Sequence, residues 1–434
     1  MTRWLRRTAL GGGVVALAAS LVVVGAAVGA PRQQQAEPSA RPAFAVNPLV
    51  RSIAALQKGL QRSPDNAPAW ADLGFAYVQQ ARLTADPTYY PKAEGAFARS
   101  LGVQPQGNAK ALLGQATLAA SRHDFRRALT LVDASLRLND YSATAYGVKT
   151  DALTELGRYD EAAAAAQRML DLRPGVDSFA RASYQRELRG DVTGAKELLQ
   201  RAADDASSPA DKAFSLYYLG EVAWNTGAVA AARAAYDDAL AADPAYLPAL
   251  TGQAKTLAAR DATAALSLYR DAVERQPQPA YVVELGELLE ATGQKPRASE
   301  QYAVVRATEQ LFAAQGANVD LELALFEADH GRPADAVRYA TSAVRTRPDS
   351  ILVQDAYGWA LHRAGRDREA IVQARRAVRL GTRLPGLRYH LGVIEAALGD
   401  RAAARRDLRA ALALNPAFHP LQAPAARALL KALG

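Results

Sequence analysis

The chain has 434 residues; half are hydrophobic, only 7% are aromatic, and alanine carries much of the apolar content. That composition favours helix and excludes a sheet protein, which needs more Val, Ile and Thr. Lys and Arg outnumber Asp and Glu by 52 to 44, a net charge of +8, but the arginines are scattered beside acids, which argues against nucleic-acid binding. The absence of cysteine excludes disulfides, thiolate zinc sites, cysteine nucleophiles and a lipidated-cysteine anchor.

At the N-terminus, Arg3, Arg6 and Arg7 precede an uncharged run from Thr8 to Ala30 that includes Val14, Val15, Leu17, Leu21, Val22, Val23 and Val24. A cationic start followed by a long apolar stretch is an export signal. At 23 residues the run exceeds the usual signal core and is long enough to span a bilayer. Two outcomes stay open: a signal peptide cleaved beside the small residues Ala27 and Gly29, or an uncleaved membrane anchor. Pro31 argues against cleavage directly after Ala30. In both outcomes the basic end stays in the cytoplasm and the rest is secreted or held outside. Arg6-Arg7 with Ala9-Leu10 loosely resembles a twin-arginine signal, and Gly25 and Gly29 have the GxxxG spacing of membrane-helix dimers. Residues 31–46, with Gln33-Gln34-Gln35 and several prolines, cannot build a core and read as a flexible linker.

From residue 47 to 434 the chain is self-similar. The clearest unit, Ala213 to Tyr246, carries Leu219-Gly220, Gly227, Ala232, Tyr236, Ala239 and Pro244 over 34 residues. Gly220 and Ala232 are small where two helices cross closely. Gly227 ends the first helix in a left-handed turn. Tyr236 fills the space between units, and Pro244 stops the second helix. Turn glycines recur at Gly157, Gly190, Gly227, Gly293, Gly331, Gly365 and Gly399. Closing prolines recur at Pro64, Pro105, Pro174, Pro244, Pro277, Pro348 and Pro416. The gaps Pro105–Pro174, Pro174–Pro244 and Pro348–Pro416 are 69, 70 and 68 residues, each close to two units.

This pattern resembles the tetratricopeptide repeat at its 34-residue period. The resemblance covers 47–434, nearly 90% of the chain, and implies an all-α, right-handed solenoid. Ten repeats are placed near residues 67, 109, 143, 176, 213, 246, 279, 317, 351 and 385. Pro48 to Arg62 caps the front and Ala423 to Leu433 the back, since terminal units otherwise expose a core face. Several units depart from the pattern. Repeat 1 carries about seven extra residues, Arg82 to Pro91, read as an insertion between its helices. Repeat 2 uses His123-Asp124 in place of the turn glycine, and repeat 4 ends in an irregular stretch, Asp204 to Asp211. Repeat 6 is shortened near Arg260, and repeat 7 has a second helix prolonged through Gln315.

No phosphate loop, HExxH, GxSxG or EF-hand pattern is present. The five histidines, His123, His330, His362, His390 and His419, lie in five repeat contexts, and none sits within four residues of another. His123 and His330 read as solvent-facing turn residues. Acidic pairs such as Asp204-Asp205 and Asp237-Asp238 read as solvated helix faces. The expectation is therefore no enzyme, no cofactor and no metal.

In the resembling family the first helix of each repeat lines a concave groove that takes extended peptides or helices. Carried onto this sequence, the groove positions are Phe75 and Val78, Asp151 and Glu155, Tyr184 and Glu187, Tyr217, Glu221 and Trp224, Glu287 and Glu290, Asp355, Trp359 and His362, and Tyr389. The family's carboxylate clamp, Lys and Asn at positions 5 and 9, is absent: repeat 1 has Ala71 and Phe75 there, and repeat 3 has Gly147 and Asp151. The resemblance implies a protein-binding scaffold; the N-terminal segment puts it outside the cytoplasm, and the groove acids and aromatics point to a basic or aromatic-containing peptide as partner. Against this stands the reading of the aromatics as inter-repeat core and the acids as ordinary surface. Self-association into an envelope structure is the alternative function. A small-ligand carrier ranks last, since it needs an enclosed pocket and a solenoid groove is open. The Ala- and Arg-rich, Lys-poor composition is that of a high-GC bacterial coding sequence.

Overall fold

The computed structural model describes residues 48–434, and the Thr8–Ala30 run and the linker after it lie outside them. The described chain is helical throughout. A lone helix α1 (Pro48–Arg62) opens it, with Ile53 and Leu60 buried against the first pair. Ten antiparallel pairs follow. The first five are α2 (Ala67–Thr84) with α3 (Tyr89–Val103), α4 (Ala109–Ser121) with α5 (Phe125–Leu138), α6 (Ala143–Glu155) with α7 (Tyr159–Leu172), α8 (Val176–Leu188) with α9 (Val192–Asp204), and α10 (Pro209–Asn225) with α11 (Val229–Ala242). The second five are α12 (Leu247–Leu257) with α13 (Ala262–Arg275), α14 (Pro279–Ala291) with α15 (Lys295–Ala314), α16 (Asp320–His330) with α17 (Pro333–Thr346), α18 (Ile351–Arg363) with α19 (Asp367–Ala377), and α20 (Pro385–Ala397) with α21 (Arg401–Leu414). Helix α22 (Gln422–Leu433) closes the stack. Ten repeats with a helix at each end are thus the observed architecture.

Local chemistry sets the helix ends. Side-chain oxygens of Asn66, Asn108, Asp124, Ser142, Asp191, Asp261 and Asp400 each accept the amide three residues on, satisfying an otherwise orphaned donor. Within a pair the first helix is here A and the second B; six of the A-to-B turns pass through the left-handed region at a glycine, at φ of +73° to +82° for Gly157, Gly190, Gly227, Gly293, Gly365 and Gly399. His123 takes the same conformation at φ +57° in repeat 2. Two turns differ: that of repeat 6, between Leu257 and Ala262, has no left-handed residue, and Gly331 has a φ of −136°, with Glu327 Oε2 accepting the Arg332 amide at 3.0 Å to make the turn.

Packing between repeats uses one device several times. The Tyr236 ring lies between Gly220 and Gly252 of successive A helices, so close that a Cβ on either would fall 2.4 and 2.6 Å from its Cε1. Phe97 sits the same way between Gly74 and Gly114, and Tyr302 lies over Gly286.

The stack winds back on itself every six units. Each early A–B turn meets the loop that enters the unit six further on. Gln276 Nε2 donates to Leu83 O at 3.0 Å. The Asn318 amide donates to Arg122 O at 2.8 Å, and Asn318 O faces His123 Nδ1 at 3.0 Å. The Ile351 amide donates to the Tyr159 hydroxyl at 2.8 Å, and Asn415 Nδ2 to Trp224 O at 2.8 Å. The turn glycines record this contact. A Cβ on Gly157, Gly190 or Gly227 would strike backbone of Asp349, Gly381 or Leu414 at 2.1–2.6 Å. Gly293, Gly365 and Gly399, which have no later turn against them, have nothing within 4 Å.

Two expectations change. The extra residues of repeat 1 do not form an inter-helix insertion. They lengthen α2 to Thr84, and Tyr89-Tyr90-Pro91 start α3. Nor is His123 solvent-facing: it is only partly exposed, stacked on Phe125 with ring centroids 5.5 Å apart. Among the described residues, no helix is long and apolar enough to cross a membrane.

Candidate functional site

Because six units close a turn, A helices from different repeats face one another across the superhelix axis. Helices α10, α12, α14, α16, α18 and α20, with the loop between α21 and α22, surround a cavity of about 620 Å³. Its charged lining is mostly acidic: Glu221, Glu284, Glu287, Asp329 and Asp355 against Lys255 and Arg427, with His330, His390 and His419 between. Trp224, Tyr269, Phe326 and Phe418 supply aromatic wall.

Each acid has its own surroundings. Glu221 Oε1 accepts from the Tyr236 hydroxyl at 2.5 Å, and both its oxygens accept from Lys255 Nζ, at 2.7 and 2.9 Å. Burial would lower the Lys255 pKa, but Glu221 and Glu284 outweigh it and hold the ammonium above its ordinary value. Glu287 lies between two rings, with His330 Nε2 at 3.1 Å and His419 Nε2 at 3.0 Å. Burial alone would raise its carboxyl; the two imidazoles prevail and hold it at about 2. His419 Nδ1 accepts the amides of Leu421 and Gln422 at 3.1 and 3.2 Å, which assigns the ring proton to Nε2, facing Glu287.

Asp355 accepts from His390 Nδ1 at 3.0 Å, and that ring stacks on Trp359 with centroids 4.2 Å apart. Trp359 Nε1 donates to Asp329 at 2.9 Å. Glu284 differs. Burial pushes its carboxyl up to about 7, against the pull of Lys255 and a hydrogen bond from Tyr269. Its Oε2 is closed to solvent and has no hydrogen-bond partner.

Of the residues expected in the groove, Glu221, Trp224, Glu287 and Asp355 line this cavity. Trp359 and Tyr389 lie in the wall behind it, each less than a tenth exposed. Tyr217 packs among Tyr218, Tyr236 and Tyr246. Glu290 accepts from the Tyr302 hydroxyl at 2.9 Å, Glu187 from Asn225 at 3.3 Å, and His362 Nδ1 faces Asp367 at 2.6 Å. Asp151 is buried and gripped by Arg181, Glu155 is buried against Arg347 of a later turn, and Phe75 stands edge-on to Phe97. Val78 is buried, and Tyr184 is partly buried beside the core around Leu199.

Sequence reasoning missed Lys255, Glu284, Asp329, His330, His390 and His419 as site residues. His330, read as solvent-facing, is 5% exposed and stacked on Tyr302 at 4.2 Å. The signal for Asp329 was there in helix phase: with repeat 8 starting near residue 317, Leu325 and Asp329 stand where Glu221 and Asn225 stand in the repeat that starts at 213, and all four line the cavity. Among the described residues, no three His, Cys, Asp or Glu side chains are grouped to hold a metal ion.

Tetratricopeptide repeat profiles match residues 113–177, 180–246 and 385–418, so these stretches are tetratricopeptide repeats. No curated protein matches the chain. Solved structures similar to it include a thermophilic tetratricopeptide-repeat protein of Thermus thermophilus, at 21% identity over 44% of this chain and 98% of that one, TM-score 0.39. YrrB, a tetratricopeptide-repeat protein with an unusual peptide-binding site, is 22% identical over 42% and 93%, TM-score 0.29. The APC/C hetero-tetramer Cut9-Hcn1 is 14% identical over 88% and 92%, TM-score 0.41.

Proposed function

We propose that the chain is a protein-binding scaffold without enzymatic activity, acting outside the cytoplasm, whose acidic inner face takes basic side chains of a partner segment. The tetratricopeptide repeats support the scaffold role. The cationic start and the Thr8–Ala30 run support export. The observation that carries the binding mode is the convergence of five carboxylates from four A helices on one cavity whose cations are one lysine, Lys255, and one arginine, Arg427. Like charges gathered in a concave, low-dielectric site focus their field and draw in the opposite charge.

The test is affinity capture by the full chain from envelope extract, beside a Glu221→Gln, Asp329→Asn double variant with unchanged circular dichroism. A photo-crosslinking residue at Asn225, on the cavity lining, marks the partner segment. The expected result is a crosslinked segment carrying Lys or Arg, with capture weakened by salt and about tenfold by the double variant. Equal capture by both forms, or a crosslinked segment without basic residues, removes the inner face as the site.

A further inference from the structure

The cavity is of a size that holds a small organic molecule, and its lining combines aromatic walls with a cluster of carboxylates. Three of its five carboxylates are ion-paired, Glu221 with Lys255, Glu287 with His330 and His419, and Asp355 with His390, while Asp329 accepts from Trp359 and Glu284 from Tyr269. Glu284 is in no ion pair among the described residues, and its Oε2 lacks any hydrogen-bond partner. Lys255 does not fill this role, since its ammonium is committed to both oxygens of Glu221. A buried carboxyl oxygen left without a partner is costly; Glu284 lines the cavity, and turning its carboxyl toward a cation there would give Oε2 a partner and remove the cost.

The rest of the lining narrows the ligand. An anion is repelled by the surrounding acids. A metal ion lacks a grouped set of donors among the described residues. An extended peptide running along the axis meets the loop between α21 and α22, whose Pro416, Phe418, His419 and Pro420 form part of the wall. A compact molecule with one positive head and an apolar body meets none of these obstacles, and Trp224, Tyr269 and Phe326 offer its body and its charge aromatic surface.

We propose that the cavity binds a small organic cation, a primary amine or guanidinium on an apolar body, with Glu284 as its counter-ion. This rests on the acidic inner face described above and narrows it to a single seat for a free ligand. The pocket that a solenoid groove was expected to lack is made by the six-unit winding.

The experiment is isothermal titration of the full chain near neutral pH with benzylamine, with benzyl alcohol as the uncharged counterpart, and with a capped peptide carrying one central lysine. Benzylamine is expected to bind saturably and about tenfold or more tighter than the alcohol, and Glu284→Gln is expected to remove that preference. Gly386→Leu is the second variant. Gly386 lines the cavity and has nothing within 4 Å of where a Cβ would lie, so a leucine there fills space without touching a charge, and it is expected to block benzylamine. Equal binding of amine and alcohol, benzylamine binding unchanged in both variants, or no saturable benzylamine binding each overturns the proposal. Binding of the lysine peptide alone, lost in Glu284→Gln, overturns it too and assigns the seat to a partner's side chain. Partner capture is read separately with the Glu221 and Asp329 variant, so either conclusion can fail alone.

Discussion

Tyr90 and Phe312 meet edge-on across two turns of the superhelix, ring centroids 6.4 Å apart. Tyr90 belongs to the irregular stretch of repeat 1, and Phe312 to the prolonged second helix of repeat 7. Two of the departures from the 34-residue period therefore pack on each other, and Ala317 joins the same apolar cluster. A double-mutant cycle with Tyr90→Ala and Phe312→Ala is expected to give a coupling of about 0.5–1.5 kcal/mol in urea denaturation. Small-angle scattering of the double variant is expected to show a larger radius of gyration. Additive energies and an unchanged radius would mean the contact does not hold the turns together.

The Tyr236 ring leaves no room beside Gly220 or Gly252. Gly220→Ala is expected to destabilise the array by about 1–3 kcal/mol, although alanine is the better helix former, because the new methyl must displace an aromatic ring packed on both faces. Gly399→Ala tests a different cost: no neighbour lies within 4 Å, but its φ is +82°. It is expected to cost about 1 kcal/mol through backbone strain. A shift of the urea midpoint larger at Gly399 than at Gly220 would contradict this ordering.

Arg181 donates through Nε and Nη2 to both oxygens of Asp151, at 2.9 and 2.8 Å, with both side chains almost wholly buried. Arg181→Ala strands the carboxylate and is expected to cost about 3–5 kcal/mol. Replacing the pair together, as Arg181→Met with Asp151→Leu, is expected to recover most of that loss. If the double variant is no more stable than the single one, the pair does more than neutralise itself.

Burial raises the Glu187 carboxyl to about 7, against the hydrogen bond from Asn225 and with added repulsion from Glu221. A raised folded-state pKa means the folded chain binds more protons than the unfolded one between about 4.5 and 7. The contribution of Glu187 to stability is thus full below about pH 4.5 and falls as pH rises through 7. Glu187→Gln is expected to be near neutral at the acid end and stabilising by about 1–3 kcal/mol above pH 7. Thermal melts across this range check it: a constant difference between the two proteins would exclude Glu187 as the titrating group.

The spacing of Gly220, Gly227, Ala232, Tyr236 and Pro244 determined the repeat unit, and its recurrence determined ten units with a helix at each end. Those features are local: which residue tolerates a left-handed turn, which stops a helix and which fills a gap to the next unit are properties of neighbours in sequence. The winding is different. Whether Gly157 touches Asp349 depends on small rotations summed over six repeats, and whether His419 reaches Glu287 on those summed from repeat 7 to the end of repeat 10; no single repeat carries either sum. The cavity follows the winding. His330 and His390 meet Glu287 and Asp355 of the repeat just before their own, while His419 reaches Glu287 from beyond the tenth repeat, and only the winding makes that last contact. Sequence therefore offered acids on the first helices as a candidate inner face, while the tertiary structure decided which acids line one cavity and that, among them, Glu284 has an oxygen, Oε2, with no hydrogen-bond partner.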